Sequence, residues 1–457
     1  MNDRRRPPRD RSLIERFLGL FADVRRGEGP SAVLLAINVF VLLFAYYLIK
    51  TVREALVLTQ AGAEQKIYLA AAISAVLVLY AKGFGALTRR MNRIRLITAV
   101  TLFFASNLVV FYFLGRGGVS LGVAFFVWVG IFNVSVIAQF WSFANDLYTE
   151  EQGRRLFAIV AGGSTLGAVA GSYGAQTFYA VLGSYNLMLF TGGFLVASLA
   201  LTWVIHRRHA RSELASNEDG GDSGVPASDA VLGGASGAFQ LVFRDRYLLL
   251  VGAITLIGTW VNTTGEYIFD RRLLETAREM VATGAAEGRT VEEIVGRYKG
   301  QFFMWVNILV VTLQFFAVSR ILKYLGVRVA LFVLPLVALG GYTAMMTTPA
   351  LMVIFGAKVA ENGTDYSLQN TTRQTLFLVT SREAKYKAKA LIDTFFFRLG
   401  DVTAAALVLL GSTLAFGIRA YIGTMMGVLA LWVVVAALTA RAHKARAPDA
   451  REHGTPS

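Results

Sequence analysis

The chain has 457 residues, of which 55% are hydrophobic and only 16% charged, and its 45 Lys and Arg against 30 Asp and Glu give a formal net charge of +15. A soluble domain carries about 25% charged residues, so the composition excludes a soluble globular protein and predicts a polytopic helical membrane protein. No cysteine is present, which excludes disulfides, thiol catalysis and Cys-ligated metal sites. The four histidines, His206, His209, His443 and His453, fall in sequence that reads as polar loop or tail.

Residues 1–30 form a basic segment with three prolines and a Leu/Phe pattern that predicts a short interfacial helix; it lacks the apolar core and cleavage site of a signal peptide. Six spans follow within 31–206, at about 31 to 53, 66 to 87, 95 to 115, 120 to 146, 155 to 182 and 185 to 206. Residues 207–245, rich in Gly, Ser and Asp, are a linker. A second half, 246–440, gives spans at about 246 to 270, 299 to 319, 328 to 347, 349 to 373, 387 to 414 and 418 to 440, before a tail at 441–457.

The basic residues cluster in alternate loops, which topology explains without a nucleic-acid partner. RRMNRIR (89 to 95), EEQGRR (150 to 155), SREAKYKAKA (381 to 390) and ARAHKAR (440 to 446) predict an inner side with both termini cytoplasmic. Among the outer segments, 270–300 is long, with six acids against six Lys and Arg, and its periodicity predicts a surface helix. An internal correspondence at an offset of 233 residues pairs Arg95 with Arg328 and Leu166–Gly167 with Leu399–Gly400. This is expected of two six-span halves related by an axis along the membrane normal, a major-facilitator-like, all-α architecture of about 12 transmembrane helices.

Charges inside spans are costly and mark solute pathways. Lys50, Arg53 and Glu54 end the first span in AYYLIKTVREALVL; Asp146 lies in the fourth, and Glu266 and Asp270 late in the seventh. Lys358, Glu361, Asp365 and Arg373 are in the tenth, and Asp393, Arg398 and Asp401 in the eleventh. Spacings of three or four let Lys50–Glu54, Lys358–Glu361 and Arg398–Asp401 neutralise each other along a helix face. Arg53 and Glu266 have no evident partner on their own helices. The candidate substrate-binding set is therefore Lys50, Arg53, Glu266, Lys358, Glu361, Arg373, Asp393 and Arg398. The glycines of GGSTLGAVAGSYG (162 to 174) suit close helix packing, and the aromatics of QFWSFANDLY (139 to 148) suit stacking on a planar base. No GxxxxGK[ST] loop is present, so transport, if it occurs, is exchange, uniport or ion-coupled, with no cofactor.

QFWSFANDLYTEEQGRRLFAIVAGGSTLGAVAGS, YYLIKTVREALVLT, DYSLQNTTRQ and KAKALIDTFFFRLGD together resemble the ATP/ADP antiporter family of plastids and obligate intracellular bacteria, over roughly residues 35 to 440. The resemblance implies nucleotide exchange and carries the family's first-span lysine onto Arg53, its seventh-span glutamate onto Glu266 and a tenth-span basic residue onto Arg373. Two positions depart from the pattern: a fourth-span glutamate aligns with Val129, and a basic position before YSL is Asp365. The charge count is also compatible with a less charged anion or a zwitterion.

The expected function is a secondary transporter of the bacterial inner membrane, no enzyme, that exchanges a nucleotide or related phosphorylated anion by alternating access. Two alternatives remain open at this level. One is a proton-coupled carrier of another organic solute, and the other a non-transporting partner or sensor acting through 270–300 or the linker. Oligomeric state is left open.

Overall fold

The computed structural model describes residues 23–25, 28–88, 91–217, 235–381 and 383–446. The expected interfacial helix before residue 23, the linker core 218–234 and the tail from 447 lie outside the described residues. Among the described residues all regular structure is helical.

Twelve long helices follow one another. They are α1 (Gly29–Gln60), α2 (Gly62–Thr88), α3 (Arg93–Arg116), α4 (Gly122–Leu147), α5 (150–182) and α6 (184–217), then α7 (Arg246–Ala282), α8 (Val291–Val318), α9 (Gly326–Thr347), α10 (351–376), α11 (Ala384–Thr413) and α12 (Ile418–Arg446). A short amphipathic helix, Ala235–Arg244, precedes α7. Nine of the described helical stretches are long and apolar enough to cross a membrane, and one of these, Glu150–His209, holds most of both α5 and α6. The two are separated at Gly183, whose φ of 68° is open to glycine at little cost. The all-α, twelve-helix class expected from the sequence is the one observed.

Several helices outrun the expected spans. The 32 residues of α1 extend about 48 Å at 1.5 Å per residue, beyond a hydrocarbon core of about 30 Å. Hydropathy marks the apolar part of a helix, while its backbone hydrogen bonds carry it further. For this reason 270–300 is no separate surface helix: α7 continues to Ala282, and α8 starts at Val291 behind a Thr290–Glu293 capping box. The turn between them uses Gly284 and Gly288 at positive φ. His206, His209 and His443, expected in loop or tail, lie likewise on the extended ends of α6 and α12.

The chain forms two compact units. The first holds α1 up to Val52, Tyr80–Val119, and the chain from Trp128 through α6. Its α1 and α5 meet backbone to backbone along Gly163, Gly167 and Gly171, where an added Cβ would lie 2.3, 2.4 and 2.6 Å from the carbonyl oxygens of Ala36, Phe40 and Phe44. The expected small-residue packing is thus present. Ser198 donates to Asn38 at 2.6 Å and Asn38 donates to Thr202 at 2.8 Å, which ties α6 to the same helix. The motif aromatics pack on one another, Trp141 against Phe140 and Phe157. Arg155 of α5 grips Glu28 with bonds of 3.0 and 2.9 Å. Burial pushes the Glu28 carboxyl up, and bonds from Arg155 and the Arg25 N–H, with the Arg155 charge, outweigh it, leaving the group below its ordinary 4.5.

The second unit holds Arg53–Leu79, Ser120–Val127 and the described chain from residue 235. The Gln60 side chain accepts from the N–H groups of Leu121 and Gly122 at 2.8 and 2.7 Å, satisfying orphan donors at the start of α4. Gly265 leaves room for Lys358, since a Cβ there would meet its Nζ at 2.8 Å.

Two outcomes test this packing. Gly167→Val should destabilise by roughly 1–3 kcal/mol through overpacking, seen as a lower apparent unfolding temperature in detergent, while Gly193→Ala, which meets nothing within 4 Å, should not. A carboxyl with a depressed folded pKa stabilises above its unfolded value and loses that contribution as pH falls through the folded one. Acidification from neutral pH to below 4.5 should therefore lower the unfolding temperature more in the wild type than in Glu28→Gln.

Candidate functional site

The site lies in the second unit and begins with charges that a helical period carries onto buried faces. On α8 the buried positions include Val295, Lys299, Phe302, Phe303 and Val306, one stripe in which a lysine replaces an apolar residue. On α7 the same holds for Asp270 among Tyr267, Leu273, Leu274 and Ala277. Glu54 on α1 and Lys66 on α2 are brought together by the turn at Gly62, whose φ is 87°.

These side chains form one buried ion cluster. Lys66 bridges Glu54 and Asp270, the latter at 2.5 Å, and Lys299 bonds Asp270 while lying 3.7 Å from Glu54. Arg53 donates to Glu54 through Nε at 3.0 Å, and its guanidinium sits 4.8 Å from the Phe126 ring centroid. Lys299 also lies 4.7 Å from the Phe269 ring. Glu54, Asp270 and Lys299 are at most 2% exposed, so each charge is desolvated and depends on its partners.

One helical turn away along α7, Glu266 lies in the field of Lys66, Lys299 and Lys358 and accepts from Asn362 at 3.4 Å. Lys358 is fully buried, and its ammonium donates to Glu361 at 2.8 Å, to the Asn262 side chain at 2.9 Å and to the Asn262 carbonyl at 3.1 Å. The four cations Arg53, Lys66, Lys299 and Lys358 thus meet the four carboxylates Glu54, Glu266, Asp270 and Glu361, and the cluster is neutral overall.

Beyond it the same unit opens into a cavity of about 310 Å³. Arg373 and Asp365 bring charge to it, Asn262 and Gln369 bring amides, and Phe397 and Trp432 bring rings. Arg373 is partly exposed and its Nε lies 3.6 Å from Asp393 of α11. Arg398 and Asp401 pair at 3.2 Å, and Thr263 donates to Asp401 at 2.9 Å.

The expected pairs Lys358–Glu361 and Arg398–Asp401 are therefore present. Arg53 is a correction, since Glu54, its neighbour in sequence, is its ion partner; adjacent side chains on a helix diverge, and a long guanidinium closes the gap. Lys50, in the first unit, lies 5.2 Å from the Tyr47 ring centroid. Lys66 and Lys299 are absent from the residues singled out by sequence. Lys299 carries a detectable signal, its place on the apolar stripe of α8, whereas the partners of Lys66 are set by tertiary structure. At Val129 the side chain is fully buried, in keeping with an apolar residue where the resemblance has a glutamate.

No protein-family model matches the chain. It is 21% identical to the ADP,ATP carrier protein 1 of Chlamydia pneumoniae over 346 residues, or 66% of this chain and 64% of that protein, so the match spans less than two thirds of the relative. The resemblance read from the residues is borne out by this relative. Solved structures of similar fold include a bacterial homologue of the human lysosomal transporter Spinster in an inward-facing, unoccupied conformation (TM-score 0.59, 15% identity, 94% of this chain and 100% of that one). An auto-inhibited POT-family peptide transporter (0.61, 10%, 94% and 99%) and the nucleoside transporter NupG (0.57, 11%, 92% and 100%) are similar too. At these identities the likeness establishes the fold, a major-facilitator-like one.

Asp270 is the acceptor that both buried lysines share. Asp270→Leu should cost about 3–5 kcal/mol by leaving Lys66 and Lys299 short of a counter-charge. The double variant Asp270→Leu/Lys299→Met, which removes one charge of each sign, should recover part of that loss in detergent unfolding; equal instability of the two would remove the cluster from the account of stability.

Proposed function

We propose that the chain is a secondary transporter that exchanges a nucleotide or a related phosphorylated anion by alternating access. The observation that carries this reading is the partly exposed Arg373 in a cavity that also offers aromatic rings and amides. A guanidinium presents a planar fork of donors to phosphate, and the rings of Phe397 and Trp432 offer faces to a planar group. The curated relative, an ADP,ATP carrier by name, points to the same substrate class. Arg53 is assigned an anion contact on the resemblance, Lys50 one on its charge in the first span, and Glu266 a role in selection or gating. The placement is the bacterial inner membrane with both termini cytoplasmic, supported by the basic loops.

A second reading has its own support, because Asp365 shares the cavity with Arg373 and Asp393 approaches the guanidinium. Two carboxylates beside one cation suit a zwitterion, or a solute carried with a proton that one of them takes up. A carrier of this kind would respond to a pH gradient and ignore internal nucleotide.

Proteoliposomes preloaded with ADP and supplied with labelled ATP separate the readings. Exchange reads as uptake that needs internal ADP, falls about tenfold or more in Arg373→Ala, the loss of a charge-assisted hydrogen bond, and recovers partly in Arg373→Lys. Uptake no greater than that of empty liposomes would reject the nucleotide.

A further inference from the structure

At one end of the first unit a cavity of about 400 Å³ opens where α1 begins, α4 gives way to α5 and α6 leaves its apolar run. That volume lies within the range of small-molecule sites. Its walls change character along the helices. Leu34, Leu35 and Ile205 lie inside the apolar runs expected to span a membrane, whereas Glu28, Tyr148, Gln152 and Arg208 lie just beyond their ends. On α6 the exposed Trp203 is followed by His206, Arg207, Arg208 and His209, an aromatic and then a basic band of the kind that marks the headgroup level of a bilayer.

Charge within the cavity is uneven. Glu28 is matched by Arg155, with bonds of 3.0 and 2.9 Å, and Gln152 donates to it at 3.4 Å. Arg208 is exposed, and among the described residues no side chain or carbonyl pairs with it. The lining is thus left with one uncommitted positive charge and no uncommitted carboxylate. Tyr148 donates to Ser31 at 3.4 Å and Ser31 to the Glu28 carbonyl at 2.9 Å, so the two hydroxyls keep lone pairs that can accept from a ligand.

The ligand that meets these conditions carries one negative charge, hydroxyl donors and an apolar chain, and brings no cation. Phosphatidylglycerol has all of these: a singly charged phosphodiester for Arg208, glycerol hydroxyls for Ser31 and Tyr148, and acyl chains that follow Leu34, Leu35 and Ile205 away from water. A phosphate monoester would bring a second charge that nothing here matches. A choline or ethanolamine headgroup would bring an ammonium with no open carboxylate to receive it. We infer that this cavity is a binding site for an anionic, polyol-headed membrane phospholipid held through Arg208. Basic pockets between membrane-spanning helices take such headgroups, and the inference is independent of what is transported.

Thermal-shift measurements on the full chain in detergent test the site, because a ligand that binds the native state raises its apparent stability. Phosphatidylglycerol should raise the unfolding temperature of the wild type more than phosphatidylcholine with the same acyl chains. In Arg208→Ala the lipid concentration that gives half the shift should rise about fivefold or more, and Arg208→Lys should recover part of the response. Arg207, whose guanidinium lies 5.6 Å from the Trp203 ring centroid, does not line the cavity, so Arg207→Ala should respond as the wild type does. Equal shifts from the two lipids, or equal weakening in Arg207→Ala and Arg208→Ala, would overturn the site, since an ordinary basic surface gives either result. Glycerol 3-phosphate that matched the lipid would assign the cavity to a soluble phosphate and overturn the lipid. Should Arg208→Ala not fold, Arg208→Gln carries the same comparison, and an unweakened response in it decides against the inference.

Discussion

The carboxylate of Asp270 takes two lysines, Lys66 from α2 and Lys299 from α8, and the second unit is organised by that sharing. An ammonium group in an apolar helix bundle is tolerable only with a counter-charge within bonding distance. Glu54 and Arg53 close the group from α1, so that four helices converge on one patch of charge. Apolar packing alone would let those helices rotate by a fraction of a turn at small cost, whereas ion partners at hydrogen-bond distance allow one rotation for each. The cluster is thus a device for specifying geometry more than for adding stability, since apolar residues of equal volume often stabilise as well or better.

Neutrality in one part of the unit directs attention to another. With Lys358 enclosed by Asn262 and Glu361, its charge is already committed within the protein. Arg373 differs in having a partly exposed guanidinium on a cavity that also holds amides and rings. The division of labour between buried and accessible cations follows from exposure, which the sequence does not display: all of them sit at similar depth in apolar runs.

What the sequence made legible were features with short reach. Apolar length set the number and class of the helices. Spacings of three placed Lys358 with Glu361 and Arg398 with Asp401, and Gly167 and Gly171 announced a close helix contact that the backbone distances bear out. Features with long reach stayed hidden. Lys66 and Asp270 are 204 residues apart, and no periodicity connects them. The ends of α7 and α8 read as a surface segment because their exposed faces balance acid against base, while Asp270 and Lys299 look inward from the same stretch. The uncommitted charge of Arg208 is a property of its surroundings and has no signature in the string HRRHAR.

The helices of this chain are interrupted repeatedly by π-turns, and the one at Asp365–Gln369 separates Lys358 and Glu361 from Arg373 on α10. A π-turn holds one residue more than an α-turn. If that extra residue were absorbed into regular helix, everything beyond it would rotate by about 100° and advance by about 1.5 Å. The buried ammonium and the cavity guanidinium therefore share a helix without sharing a rotational phase. A one-residue slip of backbone hydrogen bonds at this turn would turn Arg373 about the α10 axis relative to Lys358, which is bonded to Asn262.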